Sequence, residues 1–124
     1  MKQNIVISIN PEHVRNILNG TKRFEYRTKA AKKDVDKIII YETNPVKKIV
    51  AEVEILNILM MSPLDLWNVT KEESGITKGF FDSYFKGRDI AYAYELGSIK
   101  VYDKPRELSE YGLKCAPQSF AYVF

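Results

Sequence analysis

The chain has 124 residues, 45% of them hydrophobic and 28% charged, and a net charge of +3, which suits one globular domain with its own core. A single cysteine, Cys115, and a single histidine, His13, exclude an internal disulfide and a Cys/His metal cluster. The longest apolar runs, residues 38–41 and 55–61, are too short to cross a bilayer, and the first residues carry no signal-like apolar block, so a cytoplasmic protein with no metal, cofactor or membrane partner is expected.

Residues 4–9 alternate in part, with Ile5, Ile7 and Ile9 on one side, and read as a first strand. Asn10-Pro11 is a helix start, because Asn can cap free amides and Pro loses nothing at the first helical position. Val14, Ile17 and Leu18 give residues 11–19 an apolar stripe, and Gly20 is the expected left-handed stop. His13, alone in the first turn of this helix, reads as a surface residue. From Lys22 the period becomes two: Phe24 and Tyr26 face the core, while Arg23, Glu25 and Arg27 face the other way. Lys22 falls in the turn, from which its flexible stem can reach the face of Glu25.

A polar, basic connection over 28–36 follows, then a β-branched strand over 37–43, buried on both faces. Asn44-Pro45 turns the chain into a long strand over 47–59. Ser62-Pro63-Leu64-Asp65 restarts a helix, ended by Gly75 and carrying Trp67 on its apolar face. A second short helix, 77–86, bears Phe80, Phe81, Tyr84 and Phe85 and stops at Gly87. This aromatic stripe reads first as core and second as a base-stacking surface. Residues 88–96 and 99–102 read as strand, with a bulge or bend at Gly97-Ser98. Residues 105–111 form a helical turn or loop, and the C-terminus passes from a proline-set loop into strand. Strands are not separated by regular helices, so the expected class is α+β: one domain, 1–124, built on a mostly antiparallel curved sheet or small barrel with flanking short helices.

One stretch concentrates ionisable groups of both signs where helix gives way to strand: Gly20-Thr21-Lys22-Arg23-Phe24-Glu25-Tyr26-Arg27. Lys22 offers a compact charge for phosphate, and Arg27 a planar fork for phosphate or a base edge. Glu25 can accept from an exocyclic amine of a base, or it can hold Arg27 as an intrasheet ion pair. Residues 1–50 carry 11 Lys/Arg against 5 Asp/Glu, and residues 51–124 carry 8 against 11. That asymmetry suits a phosphate-bearing partner. It reads equally as a solvated basic face.

The spacing Gly20-x-Lys22-x-x-Glu25-x-Arg27 resembles the signature of the ASCH domain, of the PUA-like superfamily. The resemblance extends to Ser8-Ile9-Asn10-Pro11, to Ile40-Tyr41-x-Thr43-x-Pro45-Val46 and to Pro117-Gln118-Ser119-Phe120, and so covers nearly the whole chain. It implies a PUA-like small curved β-barrel with a cleft beside the motif. It also implies RNA or nucleotide binding, as in RNA-binding co-regulators of transcription or translation. One branch of the family hydrolyses N4-acetylcytidine and another cleaves RNA. In the amidohydrolase branch the motif supplies a Lys and, three residues later, a Thr nucleophile. Here Lys22 matches that Lys, but Glu25 stands where the Thr would be, and a carboxylate is a poor match for a hydroxyl nucleophile.

The expected ligand-binding set is Ser8, Lys22, Glu25, Arg27, Thr43, Gln118, Ser119 and Phe120, with Trp67, Tyr84 or Phe120 able to stack on a base. For Trp67 and Tyr41 core packing is the favoured reading; for Gln118-Ser119 a turn that caps the barrel is the equal alternative. The favoured function is a reader of single-stranded RNA or of a modified nucleotide. The alternative is a metal-independent hydrolase, a ribonuclease or nucleoside amidohydrolase, with Lys22 and Glu25 as its catalytic residues. A third reading makes the aromatic helix a protein-docking surface.

Overall fold

The computed structural model describes residues 2–32 and 34–123. Met1, Lys33 in the expected basic connection and Phe124 at the end of the expected last strand lie outside the described residues. The first alternating stretch forms β1 (Gln3–Ile9), which sends Ile5, Ile7 and Ile9 into the main core. Asn10 ends that strand and caps α1 (Pro11–Leu18), its side chain accepting from the His13 amide at 3.0 Å. Gly20, at φ +86°, turns the chain out of the helix, and β2 (Phe24–Arg27) follows.

β3 (Val35–Glu42) is buried on both faces, as its β-branched run requires. Ile38 and Ile40 enter the main core, and Ile39 and Tyr41 join Val6, Ile49 and Tyr102 in a second cluster. β4 (Lys48–Met61) leads into α2 (Pro63–Thr70), capped by Ser62, then a 3-10 turn (Lys71–Glu73) and α3 (Lys78–Tyr84), capped by Thr77. The two expected strand pieces after Gly87 are one strand, β5 (Ala91–Arg106). It bulges at Gly97-Ser98, where the register steps from Val53↔Ile99 to Ile55↔Leu96. Pro105 still lies in this strand; the helical turn expected from that point begins at Leu108. β6 (Ala121–Val123) closes the described chain.

The strands form one six-stranded sheet in the order β2-β5-β4-β3-β1-β6. β1 and β3 run parallel, and the other four pairings are antiparallel. α2 and α3 cover one face through Phe24, Tyr26, Leu66, Phe81 and Phe85. The α+β class therefore stands, but the small barrel does not: β2 and β6 are free edges, and no ladder joins them among the described residues. Among the described residues β2 pairs only with β5 and β6 only with β1, so the gap between them presents side chains where a closed barrel needs a backbone ladder. Side chains bridge the gap instead. The Arg27 guanidinium on β2 donates to the Ser8 carbonyl on β1 at 2.9 Å, and Ser8 Oγ donates to the Pro117 carbonyl at 2.9 Å.

One close approach fixes the start of β2. The Lys22 amide donates to the Asn16 carbonyl at 2.9 Å, and the Arg23 amide to the Glu73 carbonyl at 2.9 Å. Gly75 sits against this backbone at φ +67°, where an added Cβ would lie 2.4 Å from Lys22 Cβ and 2.7 Å from Lys22 Cα. Gly112 has a similar φ of +77° but open space around it. Gly112→Ala should therefore cost only the strain of a left-handed residue, about 1–2 kcal/mol. Gly75→Ala should cost clearly more, because Lys22 must also move. Urea denaturation of the two variants measures the difference; equal losses would remove the close approach from the account.

Candidate functional site

Asn10 and His13 at the start of α1, Lys22 in the turn before β2, and Glu25, Tyr26 and Arg27 of β2 converge beside the C-terminal end of β1, where they line a cleft of about 310 Å³. Strand alternation sends Phe24 and Tyr26 toward α2 and α3 and turns Glu25 and Arg27 to the opposite face. Arg27 Nε and Nη2 both donate to Glu25 Oε2, at 3.0 and 2.7 Å. Lys22, just before regular pairing begins, brings its ammonium to 3.8 Å from Glu25 Oε1. The same ammonium lies 4.8 Å from the centre of the Tyr26 ring and donates to the Ser74 carbonyl at 3.4 Å. Lys22 is 2% exposed and Glu25 5%, so the floor is a cation–carboxylate–cation row largely withdrawn from bulk water.

Withdrawal has electrostatic consequences. Burial lowers the Lys22 pKa; Glu25 opposes that shift and Arg27 reinforces it. The Tyr26 phenol is pushed up to about 12, chiefly by burial, and it donates to Thr70 Oγ1 at 2.7 Å. Tyr84 on the rim is raised as well, chiefly by burial. Apolar and aromatic groups wall the cleft. Phe80 and Tyr84 lie one turn apart on α3 with nearly parallel rings, 6.4 Å between centroids and 7° between planes. Ile9, Ile76 and the His13 ring complete the wall.

The structure brings together Ser8, Lys22, Glu25, Arg27 and Thr43 from the expected set, with Tyr84 as an available stacking face. Gln118 and Ser119 line a separate, smaller depression of about 260 Å³, which continues past Arg27 and Tyr84 and also holds Thr28 and Lys29. Phe120 lines neither hollow; it packs on the main core, edge-on to Tyr122 at 5.3 Å. Trp67 packs on Phe81, ring centres 5.0 Å apart, and Tyr41 is buried, so both serve the core. The aromatic stripe of α3 is divided: Phe81 and Phe85 are core, and Phe80 and Tyr84 face the cleft. Phe80 and Tyr84 are also 48% and 38% exposed, so this helix keeps an accessible aromatic edge.

His13 corrects the sequence reading. It is half-buried at the mouth of the cleft, edge-on to Phe80 at 5.3 Å, and its Nδ1 is buried without a hydrogen-bond partner. An unpaired, buried Nδ1 is best left unprotonated, which places the proton of a neutral ring on Nε2. Burial first, and the Lys22 charge second, lower its pKa. Asn10 and Ile76 were not assigned to a site from the sequence, and Phe80 entered only as part of the aromatic stripe, with base stacking as its second reading. Asn10 carried a signal in its position between Ser8 and His13, but its capping role accounted for it fully. Among the described residues no group of His, Cys, Asp and Glu can hold a metal ion, and no helix is long and apolar enough to cross a membrane.

Comparison with known proteins bears on this geometry. Residues 7–111 match the ASCH domain family. The chain is 28% identical to large ribosomal subunit protein uL22 of Ureaplasma parvum over 98% of its own length and 39% of that protein's. It is also 28% identical to an ATP synthase subunit alpha of the same species, over 98% of its length and 15% of that protein's. The chain thus spans about two fifths or less of the curated relatives it matches. Among solved structures, ASCH from Zymomonas mobilis superposes with a TM-score of 0.88 at 25% identity, over 98% of this chain and 87% of that one. The N-terminal domain of Staphylothermus marinus McrB shares the fold at a TM-score of 0.50 and 15% identity, over 86% and 77%.

The lowered pKa of His13 gives a pH dependence with a definite sign. The unfolded chain binds the His13 proton near pH 6.5, while the folded chain resists it to lower pH. Stability contributed through His13 is therefore complete above that range and is lost as pH falls below about 6.5. Denaturant titrations at pH 7.5 and 5 should show a loss in the wild type that is smaller in His13→Phe. An equal loss in both would show that His13 titrates as a surface residue.

Proposed function

This chain belongs to the ASCH domain family, a PUA-like family associated with RNA binding, and from that premise we propose that it binds single-stranded RNA or a modified nucleotide in the cleft between β2, α1 and α3. The observation that carries the reading is the buried row Lys22–Glu25–Arg27 beneath the parallel rings of Phe80 and Tyr84. Buried ionic groups cost desolvation, and replacing them with apolar residues commonly leaves a fold as stable or more so. A buried ionic floor in an otherwise apolar hollow is therefore better explained by a polar ligand than by stability. The aromatic wall supplies the stacking face that unpaired bases use. Ser8, Thr43, Gln118 and Ser119 complete the proposed contact set, and a cytoplasmic setting, where RNA and nucleotides meet the protein, belongs to the same reading.

A second reading has one observation in its favour. Lys22 has a depressed pKa and lies 3.8 Å from a carboxylate, which suits proton transfer in a hydrolase acting on RNA or on a nucleoside amide. Glu25 would take a proton through Oε1, the oxygen that Arg27 leaves free. Incubation with RNA and with N4-acetylcytidine, beside Glu25→Gln, separates the readings, since only the hydrolase gives turnover that this substitution abolishes.

For the binding reading, RNA affinity should fall as salt rises. Lys22→Ala and Arg27→Ala should each weaken it by about tenfold or more, in line with the loss of one charge-assisted contact. Fluorescence anisotropy with a labelled single strand, on variants whose circular dichroism matches the wild type, makes the measurement. Wild-type affinity in both variants would refute the reading.

A further inference from the structure

The floor of the cleft leaves two adjacent polar atoms incompletely used. Glu25 Oε2 takes both hydrogen bonds from Arg27, so Oε1 is left with Lys22 Nζ at 3.8 Å, beyond hydrogen-bond reach. Lys22 Nζ makes one long hydrogen bond, 3.4 Å to the Ser74 carbonyl, although an ammonium has three hydrogens to donate. Both side chains are more than nine-tenths buried and line the cleft. A donor with spare hydrogens thus stands beside an acceptor with spare lone pairs.

Resting on the binding reading above, we infer that Lys22 and Glu25 receive the hydrogen-bonding edge of a nucleobase, and that the phosphate of the same nucleotide lies outside, in the depression of Arg27, Thr28, Lys29, Gln118 and Ser119. A neutral base presents an acceptor next to a donor on its Watson–Crick edge: a ring nitrogen or carbonyl can accept from Lys22 while the neighbouring N–H donates to Glu25 Oε1. A phosphate bound on Lys22 would instead bring its anionic oxygens against the Glu25 carboxylate, in a site too buried for water to screen the repulsion. The adjoining depression has no carboxylate among its lining residues. It offers the Lys29 ammonium, the far side of Arg27, two hydroxyls and an amide, which suits a phosphate close to solvent. Tyr84 borders both hollows, so a base laid along its ring has its phosphate beside the second. The base is therefore held by its edge and face, and the phosphate by exposed groups.

Calorimetry on the intact chain tests this with the four ribonucleosides, their 5′-monophosphates, inorganic phosphate, and each nucleoside methylated on its Watson–Crick edge (N3 of pyrimidines, N1 of purines). The tightest nucleoside should lose at least about tenfold in affinity on edge methylation, as expected for breaking a two-point base contact. Inorganic phosphate should not displace it. Lys29→Ala should weaken the monophosphate several-fold more than the nucleoside. Edge-methylated nucleosides that bind as well as the parents, or phosphate that competes with them, would overturn this inference and leave RNA binding intact. If neither RNA nor any nucleotide binds, the binding reading itself fails, and this one with it.

Discussion

A buried lysine held against a buried carboxylate is the constraint on which the rest of the site depends. Lys22 can reach Glu25 only because Gly20 ends α1 abruptly and because Gly75 lets the following loop press onto the Lys22 backbone. An ammonium with 2% exposure is costly. What offsets the cost is spread over several weak partners: the Glu25 carboxylate, the Tyr26 ring and the Ser74 carbonyl. None of them satisfies the ammonium fully, and that incompleteness is what makes the cleft floor receptive to a ligand.

Arg27 carries the same constraint across the molecule. Its guanidinium fixes Glu25 with two hydrogen bonds and spends another on the Ser8 carbonyl of β1. The curled but open sheet is thus held at its gap by a functional side chain rather than by a strand ladder. Ser8 in turn anchors the C-terminal loop through Pro117. Disturbing the floor should therefore also loosen the rim that Gln118 and Ser119 form. Fold and site are linked here through a few polar contacts, whereas α2 and α3 are held by ordinary aromatic packing around Phe81.

Much of this was legible in the sequence because local rules dominated. The Asn10-Pro11 cap, the Gly20 stop, the two-residue period of Phe24–Arg27 and the bulge at Gly97 are each written in neighbouring residues. So was the meeting of Lys22, Glu25 and Arg27, which lie within six positions of one another. Contacts that depend on sheet curvature were not legible. Closure into a barrel was expected, yet β2 and β6 do not pair among the described residues, and periodicity does not report where pairing stops. Gln118 and Ser119 were assigned to the same hollow as Lys22, but they lie in the next one, because the loop before β6 is held by Ser8 at Pro117 and by Phe120 in the main core, contacts made far along the chain. His13 was read as exposed because one helical turn cannot show that Phe80, far along the chain, covers it.

The central claim is that Lys22 is a buried, under-coordinated cation facing Glu25. An NMR titration of its side-chain carbon next to the ammonium, assigned by its disappearance in Lys22→Arg, tests this most directly. The account requires a midpoint clearly below the ordinary lysine value of about 10.4, lowered by burial more than Glu25 raises it. A midpoint at or above that of the exposed lysines would show Lys22 to be solvated or fully paired, and would contradict the account.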